Sequence, residues 1–312
     1  MGDQETVLFI DTDPGVDDAL AIMMAHVFGR VVGLGIAAGN VGLAHTTANA
    51  LKLLDVIGSE APVFRGAPQT LVRPAHGAAH VHGADGFGDT GYLPTSRGSD
   101  AEHASLALLR LSHAHPCALT IVVLGPLTNL ALALSLDPAL PTRVRRLVVM
   151  GGAVTGQGNT SATAEFNVGF DPEAAHVVFS RWGEFQLVDW ELCMRHALPA
   201  GRLESWLAHG GARPAFFAAI SRKIRAFSHD QGRAGLVLAD ALAMAVALQP
   251  ELVLASRRRS IRVELDGFLT RGATVVDWNG RGGQPPNALI AEAIDQQGFE
   301  RMVAESLGLA NG

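Results

Sequence analysis

The chain has 312 residues, 48% of them hydrophobic, and a formal net charge of −6. That length can bury a sizeable core, and an acidic balance without a basic stripe argues against a polyanion partner. Two cysteines, Cys117 and Cys193, are too few for a disulfide framework or a thiolate metal centre. The longest apolar stretch, Leu236 to Leu248, is interrupted by Asp240 and is too short to cross a bilayer. No signal-like segment precedes Val7. The expectation is a soluble, cytoplasmic protein that engages neither nucleic acid nor membrane.

Val7 to Ile10 reads as a strand, followed by Asp11-Thr12-Asp13-Pro14-Gly15-Val16-Asp17-Asp18 and a helical run from Ala19 to Ala25. Val31 to Ala37 is a buried strand ending at Gly39-Asn40, and Ala44 to Ile57 is a helix. Pro62 to Phe64 is a short strand. Residues 66–99 are rich in Gly, Pro and His, too long for an idle connection, and therefore a candidate functional loop. A helix at Ala101–Ala114, a strand at Leu119–Leu124 and a helix at Leu127–Leu136 come next. Arg146 to Met150 is a strand, and a second loop spans Ala153 to Phe170.

Asp171-Pro172-Glu173 opens a helix with a cap, an N1 proline and an early acid. Phe185 to Asp189 is a strand, Leu203 to Phe227 is helical, and Asp240 to Leu248 is an Ala-rich helix. Arg262–Leu265 and Ala273–Asp277 suggest an antiparallel hairpin, and the C-terminus is helical. The alternation predicts one α/β domain over residues 1–312, an open, mostly parallel, Rossmann-like sheet with helices on both faces. In such sheets ligands bind beyond the C-terminal strand edges, where Asp11, Asp13, Asn40, Leu124 and Met150 fall.

Four carboxylates within eight residues exceed what capping and turn formation use, and crowded acids call for a proton or a cation. Hard divalent cations choose oxygen ligands. An Asp-x-Asp phosphoryl-transfer scheme is the competing chemistry. It lacks the Thr or Gly expected after the second Asp, which is Pro14 here, and a supporting Lys. Asp240 alone reads as a helix cap. His76, His80 and His82 lack a Cys or fourth ligand, so a substrate-facing histidine is the functional reading there. Asn159 to Asn167 offers amides and a carboxylate suited to sugar hydroxyls.

These blocks resemble the inosine-uridine-preferring nucleoside hydrolases, calcium-dependent N-ribohydrolases. The resemblance rests on Asp11 to Asp18, Gly39-Asn40, His80-Val81-His82-Gly83, Gly125 to Asn129, Val149 to Gly152, Ala164 to Asn167, Asp171 to Ala175, Asp240 and Thr270-Arg271-Gly272, in the family's order. It implies Ca2+ held by Asp13, Asp18, Asp240 and the Leu124 carbonyl, with Asp13 also the general base towards water. It further implies Asp17 and Asn40 at the 2'- and 3'-hydroxyls of a ribose, and Asn159, Glu165 and Asn167 at the 3'- and 5'-hydroxyls. Met150 would pack under the sugar, and Asp11 would support the site from behind. The implied reaction is hydrolysis of a nucleoside to base and ribose, by a homodimer or homotetramer.

The sequence departs from the pattern at Ala239, where many members carry a His as leaving-group acid and a purine-preferring branch a Trp. An alanine can neither donate a proton nor stack. His82, with His229 behind it, is the candidate for that task. A nucleoside-binding protein with lost turnover is the alternative that Ala239 suggests.

Overall fold

Val7 to Ile10 lies at the centre of the sheet because both of its faces are covered. Leu8 and Ile10 pack into one core, Val7 and Phe9 into the other, the alternation a strand imposes. The structure, a computed structural model, describes residues 5–93 and 97–309. The long loop predicted at 66–99 therefore includes three positions, 94–96, outside the described residues.

The first elements are β1 (Thr6–Thr12), α1 (Val16–Phe28), β2 (Gly29–Ile36), α2 (Leu43–Ile57), β3 (Val63–Arg65) and α3 (Ala79–His82). Then come α4 (Ala104–Ala114), β4 (Leu119–Val123), α5 (Thr128–Leu136), β5 (Arg146–Met150), α6 (Phe166–Phe170) and α7 (Pro172–Arg181). They are followed by β6 (Phe185–Val188), α8 (Trp190–Arg195), β7 (Leu198–Pro199), α9 (Ala200–Leu207), α10 (Ala212–Asp230) and β8 (Gly235–Leu236). The chain closes with α11 (Ala239–Leu248), β9 (Val253–Val263), β10 (Thr274–Asp277), β11 (Ala288–Ile294) and α12 (Gln296–Ser306).

Nine strands form one sheet in the order β10-β9-β11-β6-β5-β4-β1-β2-β3, and β7 and β8 pair separately. From β11 to β3 neighbours run parallel; β9 is antiparallel to β11 and to β10. The strand order reverses direction at β1, which pairs with β2 on one side and β4 on the other. A crevice opens beyond the strand ends at such a switch point.

Three differences from the sequence expectations have local causes. The helix expected over Leu203–Phe227 is two helices, split at Gly210 and Gly211, whose φ values of 77° and 98° no helix accepts. The predicted hairpin is real, but its first strand begins at Val253, and the arginines 257–259 lie within it, Arg257 and Arg258 exposed and Arg259 half-buried. Arg257 and Arg258 are ion-paired to Glu292 and Glu184. The strand β11 in the C-terminal segment was not expected. It reads Ala-Leu-Ile-Ala-Glu-Ala-Ile, whose alanines and glutamate favour helix over strand.

Small residues set how closely helices approach the sheet. Ala19, Ala21 and Ala25 of α1 and Ala241, Ala243, Ala245 and Ala247 of α11 are all buried in the same core. The two helices pack together there, and their N-terminal first turns carry Asp17 and Asp18 in one and Asp240 in the other.

Candidate active site

Asp13-Pro14-Gly15 is the whole connection between β1 and α1, so the acids of this stretch are fixed by a strand end and a helix start. Asp18 closes a capping box, accepting from the Gly15 N–H at 2.9 Å; Thr12 Oγ1 donates to its other oxygen. Capping therefore occupies one acid of the four. Asp13 is held by Asn40, whose backbone N–H reaches Asp13 Oδ2 at 2.6 Å and whose side-chain amide reaches the Asp13 carbonyl at 3.1 Å. That amide also lies 3.2 Å from Asp18 Oδ2. Two glycines flank the Asp13 carboxylate: a Cβ at Gly39 would fall 2.0 Å from Oδ2, and one at Gly125 2.4 Å from Oδ1.

Asp240 is not a helix cap. Leu238 holds that position, and Asp240 lies in the first turn of α11. There its carboxylate joins those of Asp17 and Asp18, with one oxygen of each lying within 4.8 Å of the others. Among the described residues the histidines form no such group. Asp13 lies outside this triplet but close enough for its charge to act on Asp240.

The electrostatics follow from crowding without counter-charge. Burial, then the charges of Asp18 and Asp17, drive the Asp13 carboxyl well above the usual range. Burial, then Asp17, Asp18 and Asp13, do the same to Asp240. Burial lifts Asp17 to about 6, and burial and Asp17 lift Asp18. Three oxygen donors that resist ionisation beside one another suit a hard divalent cation.

A cavity of about 320 Å³ opens over this centre. Its floor is Asp17, Asn40, Leu124, Met150, Glu165, Asn167 and Asp240. Asp13 and Asp18 are outside the lining and fully buried. Asn167 donates its side-chain amide to the Leu124 carbonyl at 2.7 Å and lies 3.3 Å from the Met150 carbonyl and sulfur. The Glu165 carboxylate caps α6, accepting from the Asn167 and Val168 N–H groups, and also takes the Gly152 N–H at 2.8 Å. Burial still lifts it to about 7.

Asn159 reaches the cavity from the loop after β5. His82 ends α3 and is buried in the cavity wall; its Nδ1 accepts the Val16 N–H at 3.3 Å, which leaves the ring proton on Nε2. Burial lowers it to about 4, so the ring is neutral at neutral pH. His229, by contrast, is exposed at the end of α10 and does not line the cavity. Asp11 stands behind the site, with Oδ1 accepting from Asn129 Nδ2 at 2.8 Å and Oδ2 buried without a partner.

Part of the cavity wall is built from residues that the sequence did not single out. Trp190, Ile224, Phe227, Gln231 and Arg233 line the cavity together with Ala239, and the Arg233 guanidinium lies 5.7 Å from the centre of the Trp190 ring. One signal was available: Trp190 follows the C-terminal end of β6, the sheet edge where ligands bind. Arg233 follows the end of α10 and carries no motif.

The chain matches the family model described as inosine-uridine preferring nucleoside hydrolase over residues 8–301. It is 38% identical over 307 residues to the non-specific ribonucleoside hydrolase RihC of Klebsiella pneumoniae strain 342, covering 97% of this chain and 98% of that one. The RihC protein of Salmonella newport is 37% identical over 309 residues, with the same coverage. Among solved structures, an inosine-guanosine nucleoside hydrolase superimposes with a TM-score of 0.92 at 32% identity, over 99% of this chain and 100% of that one. A purine-preferring ribonucleoside hydrolase from Gardnerella vaginalis gives 0.89 at 26% identity, over 98% and 100%.

Proposed function

This chain belongs to the inosine-uridine preferring nucleoside hydrolase family and cleaves the N-glycosidic bond of ribonucleosides, and on that premise we propose how its own residues divide the work. The observation that carries the reading is the convergence of the Asp17, Asp18 and Asp240 carboxylates, the first and last at the floor of the cavity and Asp18 buried beside them. These acids, with Asp13 and the Leu124 carbonyl, would hold Ca2+, which accepts irregular all-oxygen sets. When bound, the cation neutralises the crowded acids and makes a nearby water easier to deprotonate.

Asp13 takes the proton of the attacking water. Its carboxylate is fixed by the Asn40 N–H and flanked by Gly39 and Gly125, so little reorganisation accompanies the transfer. Asp17 and Asn40 grip the 2'- and 3'-hydroxyls of the ribose, and Asn159, Glu165 and Asn167 the 3'- and 5'-hydroxyls, over Met150. Attack at the anomeric carbon passes through an oxocarbenium-like state, and these grips let binding energy favour the distorted sugar.

The base leaves towards the wall that contains Ala239. His82 can donate a hydrogen bond from Nε2 to the departing base. Arg233, held against Trp190, brings positive charge to the same wall, where negative charge develops on the base. A nucleoside binder without turnover is the reading that Ala239 alone supports. The Asp13, Asn40 and Asn167 contacts speak against it, because a binder has no use for a positioned base.

The sheet draws strands from both ends of the sequence, which supports treating residues 1–312 as one domain. No helix among the described residues is long and apolar enough to cross a membrane. Both cysteines are free, which supports a cytoplasmic setting. A homodimer or homotetramer is in keeping with the apolar surface at Phe268 and Leu269.

The test is a panel of purine and pyrimidine ribonucleosides incubated with Ca2+, with free ribose measured. Ribose release that EDTA abolishes and Ca2+ restores is the expected result; tight binding with no release would establish the binder.

A further inference from the structure

The loop 153–164 has no regular structure, yet it carries Asn159 and Thr160 to the cavity wall. A loop of that kind is ordered only if something outside it takes up its backbone donors. Glu165 does so at the base, through the Gly152 N–H. Further out, the donors converge on Glu191.

Glu191 lies in the first turn of α8 and is 7% exposed. Its Oε1 accepts the Thr155 hydroxyl at 2.7 Å, the Thr155 N–H at 3.0 Å and the Gln157 N–H at 2.9 Å; Oε2 lies 2.9 Å from the Thr155 N–H. Beyond Gln157 the loop closes on itself, with Gly158 N–H to the Ala162 carbonyl at 3.2 Å and Asn159 N–H to the Ala164 carbonyl at 3.1 Å. The segment that presents Asn159 is thus a small closed unit hung from one buried carboxylate. The preceding residue, Trp190, lines the cavity, so a single helical turn supplies both a wall and a clasp.

We propose that Glu191 is a positioning residue for the sugar side of the site: it pre-orders the loop so that Asn159 stands in place before the nucleoside arrives. This rests on the reading of Asn159 as a ribose contact. Without the clasp, ordering the loop becomes part of binding, and apparent affinity falls by the fraction of time the loop is in place. The reacting groups sit on strand ends and helix starts that Glu191 does not touch. The signature is therefore a higher KM at unchanged kcat.

The experiment compares E191A, E191Q, N159A and E191A/N159A in the full-length, Ca2+-supplied enzyme, with hydrogen exchange followed over residues 153–164. E191A should raise KM about tenfold with kcat within about twofold, and should speed exchange across the loop. The carbonyl oxygen in E191Q can still accept the three bonds made at Oε1, so this variant should return KM to within about threefold of the parent. In the N159A background, adding E191A should cost much less than it does alone.

Unchanged KM in E191A, with or without faster exchange, overturns the proposal, and so does a loss carried by kcat. If N159A is itself silent while E191A raises KM, the ribose role of Asn159 falls and the clasp stands. Should E191A not fold, T155V removes one bond and leaves Glu191 in place. A KM and an exchange rate equal to the parent's in that variant also overturn the proposal.

Discussion

Asn167 and Leu124 are joined by a 2.7 Å hydrogen bond from the side-chain amide of one to the carbonyl of the other. The carbonyl expected to face the cation is therefore oriented by the amide expected to hold the sugar. A carbonyl oxygen has two lone pairs, so both duties fit on one atom. Asn167→Asp replaces the donor with an acceptor facing that oxygen and adds charge to a site already short of cations. It should weaken Ca2+ binding, read by calorimetry, as well as lower kcat/KM by a factor on the order of 100. Loss of turnover with unaltered Ca2+ affinity would show that the two residues act separately.

Asp13→Asn tests the general base. The amide oxygen can still accept the Asn40 N–H, so the turn keeps its shape, but the residue can no longer take a proton. The expected outcome is a fall in kcat of about 10²–10⁴ with nucleoside binding retained. A fall of less than tenfold would move the base elsewhere.

The two candidates for helping the base depart differ in kind. His82→Ala removes a neutral donor and should lower kcat about tenfold. Arg233→Ala removes a charge, and its effect should be greatest for bases that depart as anions. Steady-state rates on nucleosides graded by the leaving ability of the base separate the two. If both variants, and the double variant, matched the parent on every substrate, the base would need no help from this wall.

Cation removal should couple to pH. In the cation-free protein, burial raises Asp11 to about 7, Asp17 to about 6, Glu165 to about 7 and Asp189 to about 7. A carboxyl with a raised folded pKa binds its proton more tightly when folded than when unfolded. Its contribution is therefore complete below about pH 4 and is lost as pH climbs towards 7. EDTA-treated protein should melt higher at pH 5 than at pH 8, by something on the order of 5–10 °C. Added Ca2+ should raise Tm most at pH 8. A Tm of the cation-free protein that rises over this range would contradict the crowded-acid picture.

Much of this site was legible because its parts sit at punctuated strand ends. The turn after β1, the Asn at the end of β2 and the Met at the end of β5 each follow an apolar run that announces a buried strand. Asp240 was legible only through the resemblance. By itself it looks like a cap, and it is the packing of α11 on α1 that makes it a third carboxylate. Trp190 and Arg233 come together only when α8 and the end of α10 fold over the same opening, a long-range event with no periodicity to mark it. Glu191 escaped notice for the same reason: its partners are two backbone amides and a hydroxyl in a loop without pattern. The strands β9 and β11 were missed or clipped because Arg and Ala occupy positions where pairing with neighbouring strands, not propensity, decides.

The glycines at 39 and 125 have a further consequence, for how such an enzyme can diversify. With an oxygen of Asp13 about 2 Å from where either Cβ would be, neither position accepts any side chain, and the proposed base cannot be retuned from its flanks. Nearly all the groups assigned to water and sugar are fastened to strand ends and helix starts in the same manner. The rest of the wall is different: α3, α8 and the end of α10 reach the cavity as separate pieces, and the residue at 239, which also lines it, is small. Mutational drift is therefore channelled to one side of the opening. New nucleobases can be tried there by exchanging residues such as those at 190, 233 and 239, while the machinery that breaks the bond is inherited unaltered.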